Sequence, residues 1–450
     1  MNPVLFTSSW LCRGNIQSNR SAGETAGWTR RFGFTVFVFA FLLTGVTNPV
    51  AGQSQQPVTI NQAVQEAVEK NLSLLAERYN LSVADARIVT ARLRPNPVFS
   101  LEAGHLNSLL PGGNPAEAGP NEYAARTDFL WERGNKRRYR IEVAEQARAV
   151  ARLQLLNTIR QLALDVQNAF VEVLLAEETL ALAEQNQASF KRIVQISTER
   201  VRAGDLSQVE LARTQLAELQ FNNAVIQAQV KLRIAKQRLQ LLMGRLVPSE
   251  SFDVAGELRR EPLPFSLEEL QQQALNRRPD YLALERDQAR SIAEVRSQIA
   301  QGKVDYTFGA EYRRQQAPVS GNLLGFFFSV PLPVFNRNQG EIERARQEQR
   351  QIEARLRALE ADVRNELSTA WQQYDAARAL LARIESEMLA RARHVLETME
   401  YSYRSGAASL VEFLDAQRAF NDTMQSYNEA RAEYARSLFL IDSITGKGLP

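Results

Sequence analysis

The sequence predicts a mainly α-helical chain with a membrane β-barrel portion, built by internal tandem duplication. Three observations carry that prediction: two very long stretches free of helix breakers, short segments of period two between the helices, and a repeat that keeps its register over about forty residues. Gly204, Ser207, Val209, Glu210 and Gln215 recur as Gly406, Ser409, Val411, Glu412 and Gln417, each 202 positions on. The match continues through Ala228 and Ala430 to Gly244 and Gly446 without an insertion. A looser pair, Thr59 to Leu93 and Ser266 to Ile299, aligns at offset 207, with Leu75 and Ala76 against Leu282 and Ala283. Self-similarity of this kind marks a repeated structural unit. The predicted organisation is a leader over 1–52, a first repeat over 53–246, a linker over 247–265 and a second repeat over 266–450. The linker contains Pro248, Pro262 and Pro264, which break helical continuity.

At the N-terminus, Arg30 and Arg31 precede the apolar run Phe32 to Val46, and small residues follow at Val50, Ala51 and Gly52. That layout is a secretory signal peptide. The run is about 15 residues, short of the roughly 20 that a spanning helix needs, so cleavage is favoured over anchoring. Residues before Arg30 read as a long leader or an over-called start. Cys12, the only cysteine, lies upstream of the run, so the mature chain can form no disulfide even where oxidation permits one. The full chain has 54 basic and 51 acidic side chains; without residues 1–52 the balance is 50 against 50. The net +3 belongs to the leader, and nothing argues for a nucleic-acid partner.

Each repeat reads as helix, two strands, very long helix, helix. From Asn135 to about Arg202 there is no proline or glycine, and Ile159, Val166, Val173 and Leu180 fall seven apart with Ala163 and Phe170 between them. This is a heptad seam. Glu341 to Arg404 is equally free of breakers, so each repeat offers a continuous rod roughly 95 to 100 Å long at 1.5 Å per residue.

Between the helices the period changes. Val304, Tyr306, Phe308, Ala310 and Tyr312 alternate with Asp305, Thr307, Gly309, Glu311 and Arg313. Leu324, Phe326, Phe328 and Val330 continue the pattern, and Val98 to Gly104 and Tyr123 to Leu130 carry it more weakly in the first repeat. Prolines at 95, 97, 331 and 333 mark the changes from helix to strand. One such segment alone reads rather as a half-buried strand of a soluble sheet than as a membrane strand. The export signal, the aromatic content of the apolar face and the long Gly/Pro-rich segment His105 to Glu122 favour a tilted transmembrane strand. Four strands fall short of the roughly eight that the smallest membrane barrels need, and an open sheet edge in lipid leaves backbone groups unsatisfied. Several chains must then share one barrel, with the long helices continuing it as a helical cylinder of the same symmetry.

With these motifs the chain resembles the TolC family of outer-membrane efflux proteins, over roughly Val58 to Gly446. The resemblance implies a homotrimer with a twelve-stranded β-barrel and a long antiparallel α-helical barrel, four strands coming from each chain. It also implies passive conduction across the outer membrane, the helical portion lying in the periplasm. A periplasmic membrane-fusion adaptor and an inner-membrane RND-type pump would supply substrate and energy, and no cofactor is involved. The run Pro331 to Ile342, with Pro331, Pro333, Asn338, Gln339 and Gly340, is similar to the strand-to-helix junction of the heavy-metal cation branch, the cobalt–zinc–cadmium type. Trp131 to Arg137, with Gly134, Lys136 and Arg137, is similar to that branch's first junction, Asn135 standing where a second glycine is the pattern.

The resemblance further places a periplasmic gate at Tyr403, Glu412 and Asp415. Glu412 and Asp415 are three apart and share a helix face, so threefold symmetry would make rings of like charge that attract cations. The same two acids also suit an ordinary helix start. Ala408 stands where some relatives carry the basic residue that ties the gate shut. Adaptor-contacting tips fall at Gly204, Asp205, Ser207, Gly406 and Ser409, glycine suiting a left-handed helix end and serine the next N-cap.

Catalysis has no support. His105 and His394 are the only histidines, and no nucleophile, metal or phosphate-loop constellation accompanies them. Within the channel class, drug efflux and type I protein secretion are the alternatives to heavy-metal export. Outside it, the heptads alone would permit a periplasmic coiled-coil structural protein.

Overall fold

The computed structural model describes residues 57–104, 121–316 and 320–447. The expected leader over 1–52, and His105 with most of the segment joining the first two strands, lie outside them. The first repeat runs α1 (Ile60–Lys70), α2 (Leu72–Arg92), β1 (Val98–Gly104), β2 (Asn121–Trp131), α3 (Lys136–Ala203) and α4 (Gln208–Leu242). The second runs α5 (Leu267–Arg277), α6 (Pro279–Gln301), β3 (Tyr306–Gln316), β4 (Gly321–Ser329), α7 (Gln339–Arg383), a π-helical turn (Ile384–Met388), α8 (Leu389–Arg404) and α9 (Leu410–Ile444).

The opening helix of each repeat is broken in two, which the periodicity did not show. Asn71 ends α1 and starts α2, its Oδ1 accepting the Ser73 and Leu74 amides at 3.0 and 3.2 Å. At the matching place Pro279 starts α6, where a missing N–H costs nothing. Both breaks are braced by a glycine at a left-handed helix end. A Cβ on Gly244 (φ +80°) would meet the Lys70 carbonyl oxygen at 2.6 Å, and one on Gly446 (φ +68°) the Arg277 oxygen at 3.0 Å.

Helix α3 is 68 residues, roughly 100 Å at 1.5 Å per residue, and its seam residues Val166, Phe170 and Val173 are buried. The second rod departs from the expected unbroken α-helix. At 384–388 it widens into a π turn closed by the Leu389 amide on the Ile384 carbonyl. The wider turn keeps Ile384 in the core while Glu385 accepts a hydrogen bond from the Tyr427 hydroxyl (3.2 Å) and faces Arg260 at 3.6 Å.

Three apolar clusters lie along the rods. One centres on Phe170, Leu239, Met243 and Phe252, a second on Leu367, Tyr374, Leu438 and Ile441, and a third near the helix tips on Phe190, Ile193, Tyr403 and Phe413. The segment 247–265 straps across the first two: Val254 bridges Val58 in parallel, and Phe252 is buried. Polar pairs flank these clusters. Arg245 holds Glu66 in two hydrogen bonds, 3.0 and 2.8 Å, which draw the carboxyl below its ordinary range. Arg278 is buried between Asp280 (2.8 Å) and Glu366 (2.5 Å). Burial, and then the nearby Arg278 charge, lower the pKa of Arg160, which donates to Asn157 Oδ1 and Ser443 Oγ.

The four strands form one antiparallel sheet in the order β1-β2-β3-β4. β3 starts two residues later than its alternation suggested, because Asp305 is engaged with the β2–α3 junction. The register puts these large apolar side chains on one face: Phe99 and Leu101, then Tyr123, Phe129 and Trp131, then Phe308 and Tyr312, then Leu324, Phe326 and Phe328, while the expected Val304 and Val330 fall outside β3 and β4 and Leu130 lies on the other face. The aligned side chains are all exposed in the single chain, Phe326 to 79% and Leu101 to 74%.

The backbone geometry distinguishes two glycines that look alike in sequence. Gly204→Ala should cost about 1–2 kcal/mol from the left-handed conformation alone, since nothing lies near its Cβ position. Gly244→Ala carries the same strain plus a collision with the Lys70 backbone, so thermal unfolding followed by circular dichroism should show the larger loss there.

Candidate functional site

At the far end of the rods two tight turns join α3 to α4 and α8 to α9. In the first, Gly204 (φ +85°) ends α3, the Asp205 amide donates to the Arg200 carbonyl, and the Ser207 hydroxyl accepts the Glu210 amide at 3.2 Å. In the second, Gly406 (φ +79°) follows α8, and Ser409 and Glu412 close a full capping box. Gly204, Asp205, Ser207, Gly406 and Ser409 are all exposed.

The three expected gate residues are in unlike settings. Tyr403 is 2% exposed, so its side chain belongs to the packing between the two hairpins and faces no open lumen in this conformation. Its ring stacks on Phe413 at 5.6 Å, and its hydroxyl lies 3.0 Å from Ser197 Oγ. Arg200, at the end of α3, donates to the Tyr403 carbonyl at 3.1 Å. Glu412 is folded back onto its own helix start: its carboxylate accepts the Ser409 amide (2.8 Å) and hydroxyl (2.9 Å), and those bonds lower its pKa. The helix-start role is therefore filled by Glu412. Asp415 is exposed, with Arg418 at 3.9 Å as its partner. Sequence reasoning missed Arg200 and Ser197, because they lie in the other repeat and nothing in their local pattern marks them.

At the opposite end, where strands become helices, the junction residues assemble from both repeats. Lys136 is buried and pairs with Asp305 at 2.7 Å, while Asp305 also accepts the Arg133 amide at 2.9 Å. The Arg137 Nε donates to the Arg92 carbonyl at 2.7 Å, capping the end of α2. Gly134 has φ +71°, and a Cβ there would meet the Lys303 side chain at 2.6 Å. Asn135 and Asn338 open the two long helices in the left-handed conformation, φ +58° and +64°, which asparagine tolerates better than most residues. That explains how Asn135 replaces a glycine. Asn338 Nδ2 donates to the Gln298 carbonyl at 2.8 Å, the Gln339 side chain donates to the Phe335 carbonyl at 3.1 Å, and Arg337 Nε donates to the Pro333 carbonyl at 3.1 Å. Pro331 precedes this turn and Gly340 sits in the first turn of α7, with nothing near its Cβ position.

The second face of the sheet is charged and self-paired. Arg313 meets Glu122 at 2.5 Å and Glu311 at 2.8 Å, and Arg126 meets Asp128 at 2.9 Å while covering the Phe327 ring. Glu311 is 7% exposed. One face suited to hydrocarbon, one suited to water, two open edges and rods some 100 Å long together define a subunit of a membrane channel continued by a helical duct.

The comparisons agree with that class. The chain belongs to the outer membrane efflux protein family, whose model matches residues 63–245 and 270–447. It is an efflux channel of the outer membrane with a periplasmic helical portion, and not an enzyme. Channels of this family are trimers that work with an adaptor and an inner-membrane pump. The chain is 25% identical over 393 residues to the cobalt-zinc-cadmium resistance protein CzcC of Cupriavidus metallidurans, covering 87% of this chain and 90% of that one. It is 24% identical over 322 residues to the cation efflux system protein CusC of Escherichia coli, covering 68% and 66%. The solved outer-membrane channel OprN superposes with a TM-score of 0.71 at 18% identity, covering 87% and 90%.

Because the Ser409 bonds depress the Glu412 pKa, their contribution to the start of α9 is complete above the ordinary carboxylate range and is lost as pH falls through the depressed folded value. The protection factors of the first-turn amides of α9, measured by hydrogen exchange and corrected for the intrinsic rate at each pH, should therefore fall in acid. Glu412→Gln should remove most of that pH dependence; an unchanged acid response would show that other groups set it.

Proposed function

We propose that three copies of this chain form the exit duct of a tripartite heavy-metal cation efflux system. The β-barrel closes in outer-membrane lipid, and the helical end receives cargo from a periplasmic adaptor and an RND-type pump. The observation that carries the reading is the sheet: its apolar face, its charged face and its two unpaired edges suit a barrel shared among copies and no soluble packing. Support for metal cargo comes from the names of the relatives, which concern cobalt, zinc, cadmium and cations.

The helix tips suit the adaptor, since Gly204 and Gly406 allow turns too tight for other residues and leave the apex bare. In this reading the closed state is held within each chain by Arg200 on the Tyr403 carbonyl and by Ser197 on the Tyr403 hydroxyl, which fills the role left by Ala408. Asp415 remains the acid positioned to face passing cations, and Tyr403 serves the gate as the element being held.

Deleting the gene should sensitise cells several-fold to zinc, cobalt or cadmium and leave drug sensitivity unchanged; the reverse profile would reassign the cargo to drugs. Arg200→Ala combined with Tyr403→Phe should raise single-channel conductance in planar bilayers, and wild-type conductance would remove these contacts from the gate. Gly204→Trp or Gly406→Trp should abolish metal resistance while trimers still form, and resistance at the normal level would dissociate the tips from adaptor docking.

A further inference from the structure

The strand–helix junction of the first repeat carries more positive charge than its own contacts use. A groove of about 880 Å³ runs between the end of α2 and the start of α3, lined among others by Arg94, Trp131, Arg137 and Arg138. Its acidic neighbours are already neutralised: Glu132 by Arg140, Glu142 by Arg296 at 3.3 Å and Glu145 by Arg92 at 3.4 Å. Lys136 is committed to Asp305, and Arg133 lies over the Tyr306 ring at 4.5 Å. Arg94 and Arg138 are exposed and have no ion-pair or hydrogen-bond partner among the described residues. Arg137 commits only its Nε. The groove thus presents guanidinium groups with nothing to bind.

Its position says what would bind. Trp131 is the last residue of β2, in register with Tyr306 on the apolar face of the sheet, and is 66% exposed. Leaving the same end of the sheet, the second repeat exposes Leu332 (78%), Val334 (61%) and Phe335 (90%). Exposed aromatic and apolar residues at the end of a lipid-facing strand mark the membrane–water boundary. Basic grooves at that level suit the phosphates of anionic lipid headgroups. A free phosphate would satisfy the arginines but leave the Trp131 and Phe335 surfaces bare. We infer that this groove is a binding site for an anionic glycerophospholipid headgroup of the periplasmic leaflet, with Arg94 and Arg138 on the phosphate and Trp131 beside the acyl chains. The inference rests on the outer-membrane channel reading above.

Native mass spectrometry of the purified trimer, titrated separately with phosphatidylglycerol, phosphatidylethanolamine and inorganic phosphate, tests it. Phosphatidylglycerol should bind at one site per protomer, about tenfold tighter than phosphatidylethanolamine, and inorganic phosphate should not displace it. Arg94→Ala with Arg138→Ala should remove that preference while circular dichroism and trimer mass stay unchanged, and Arg94→Lys with Arg138→Lys should retain part of it. Equal binding of the two lipids, full binding by the alanine pair, or displacement by inorganic phosphate would overturn the lipid site while leaving the channel intact. A chain that never forms a membrane-inserted trimer would take down both.

Discussion

A β-strand edge facing hydrocarbon has no water to satisfy its amides and carbonyls, at a cost of several kcal/mol for each group. The sheet of this chain has two such edges, one on β1 and one on β4, and its outward face carries a band of exposed apolar side chains across all four strands. Everything else follows from the need to close them. Closure requires copies of the chain around an axis, the axis imposes its symmetry on the helices below, and the rods therefore have to leave the sheet at a fixed angle.

That angle is set by a few residues at the junctions. Asn135 and Asn338 turn the chain through the left-handed region just where each long helix begins. Lys136 of the first repeat is then buried against Asp305 of the second, and Asn338 of the second holds the end of α6. Breaking a buried pair by removing one partner costs far more than the pair itself contributes, about 3–5 kcal/mol. The repeats are thus cross-linked at the level where barrel becomes duct, which keeps strand register and helix direction from drifting apart.

Much of this architecture was legible in the sequence because period and punctuation are local. The seam through Val166, Phe170 and Val173 declared α3, and alternation from Phe308 to Tyr312 declared β3 to within a few residues. What stayed hidden depended on contacts between repeats. The π turn at Ile384 has no proline or glycine to announce it, and follows from holding Ile384 in the core while Glu385 reaches Tyr427. The setting of Tyr403 was equally invisible: its motif marks a turn, but its burial is decided by Phe413, Ser197 and Arg200, the last two in the other repeat.

The duplication is close in sequence around the tips, yet there the two copies differ in physical setting. Gly204 stands in open space, whereas a Cβ on Gly406 would lie 3.1 Å from the Arg200 guanidinium. Above its last turn α8 buries little: Tyr403 is its only buried residue, while α3 buries Phe190, Ile193 and Ser197 over the corresponding stretch. The second hairpin is therefore attached to the first by α9 along its length and by a small group of contacts at the end. Hydrogen bonds of this kind contribute about 1 kcal/mol each, so two per chain, repeated around a threefold axis, sum to a modest barrier. In the proposed gate, a tip held that lightly would need from its docking partner only a binding energy ordinary for a protein interface, without disturbing the core that holds the rods together.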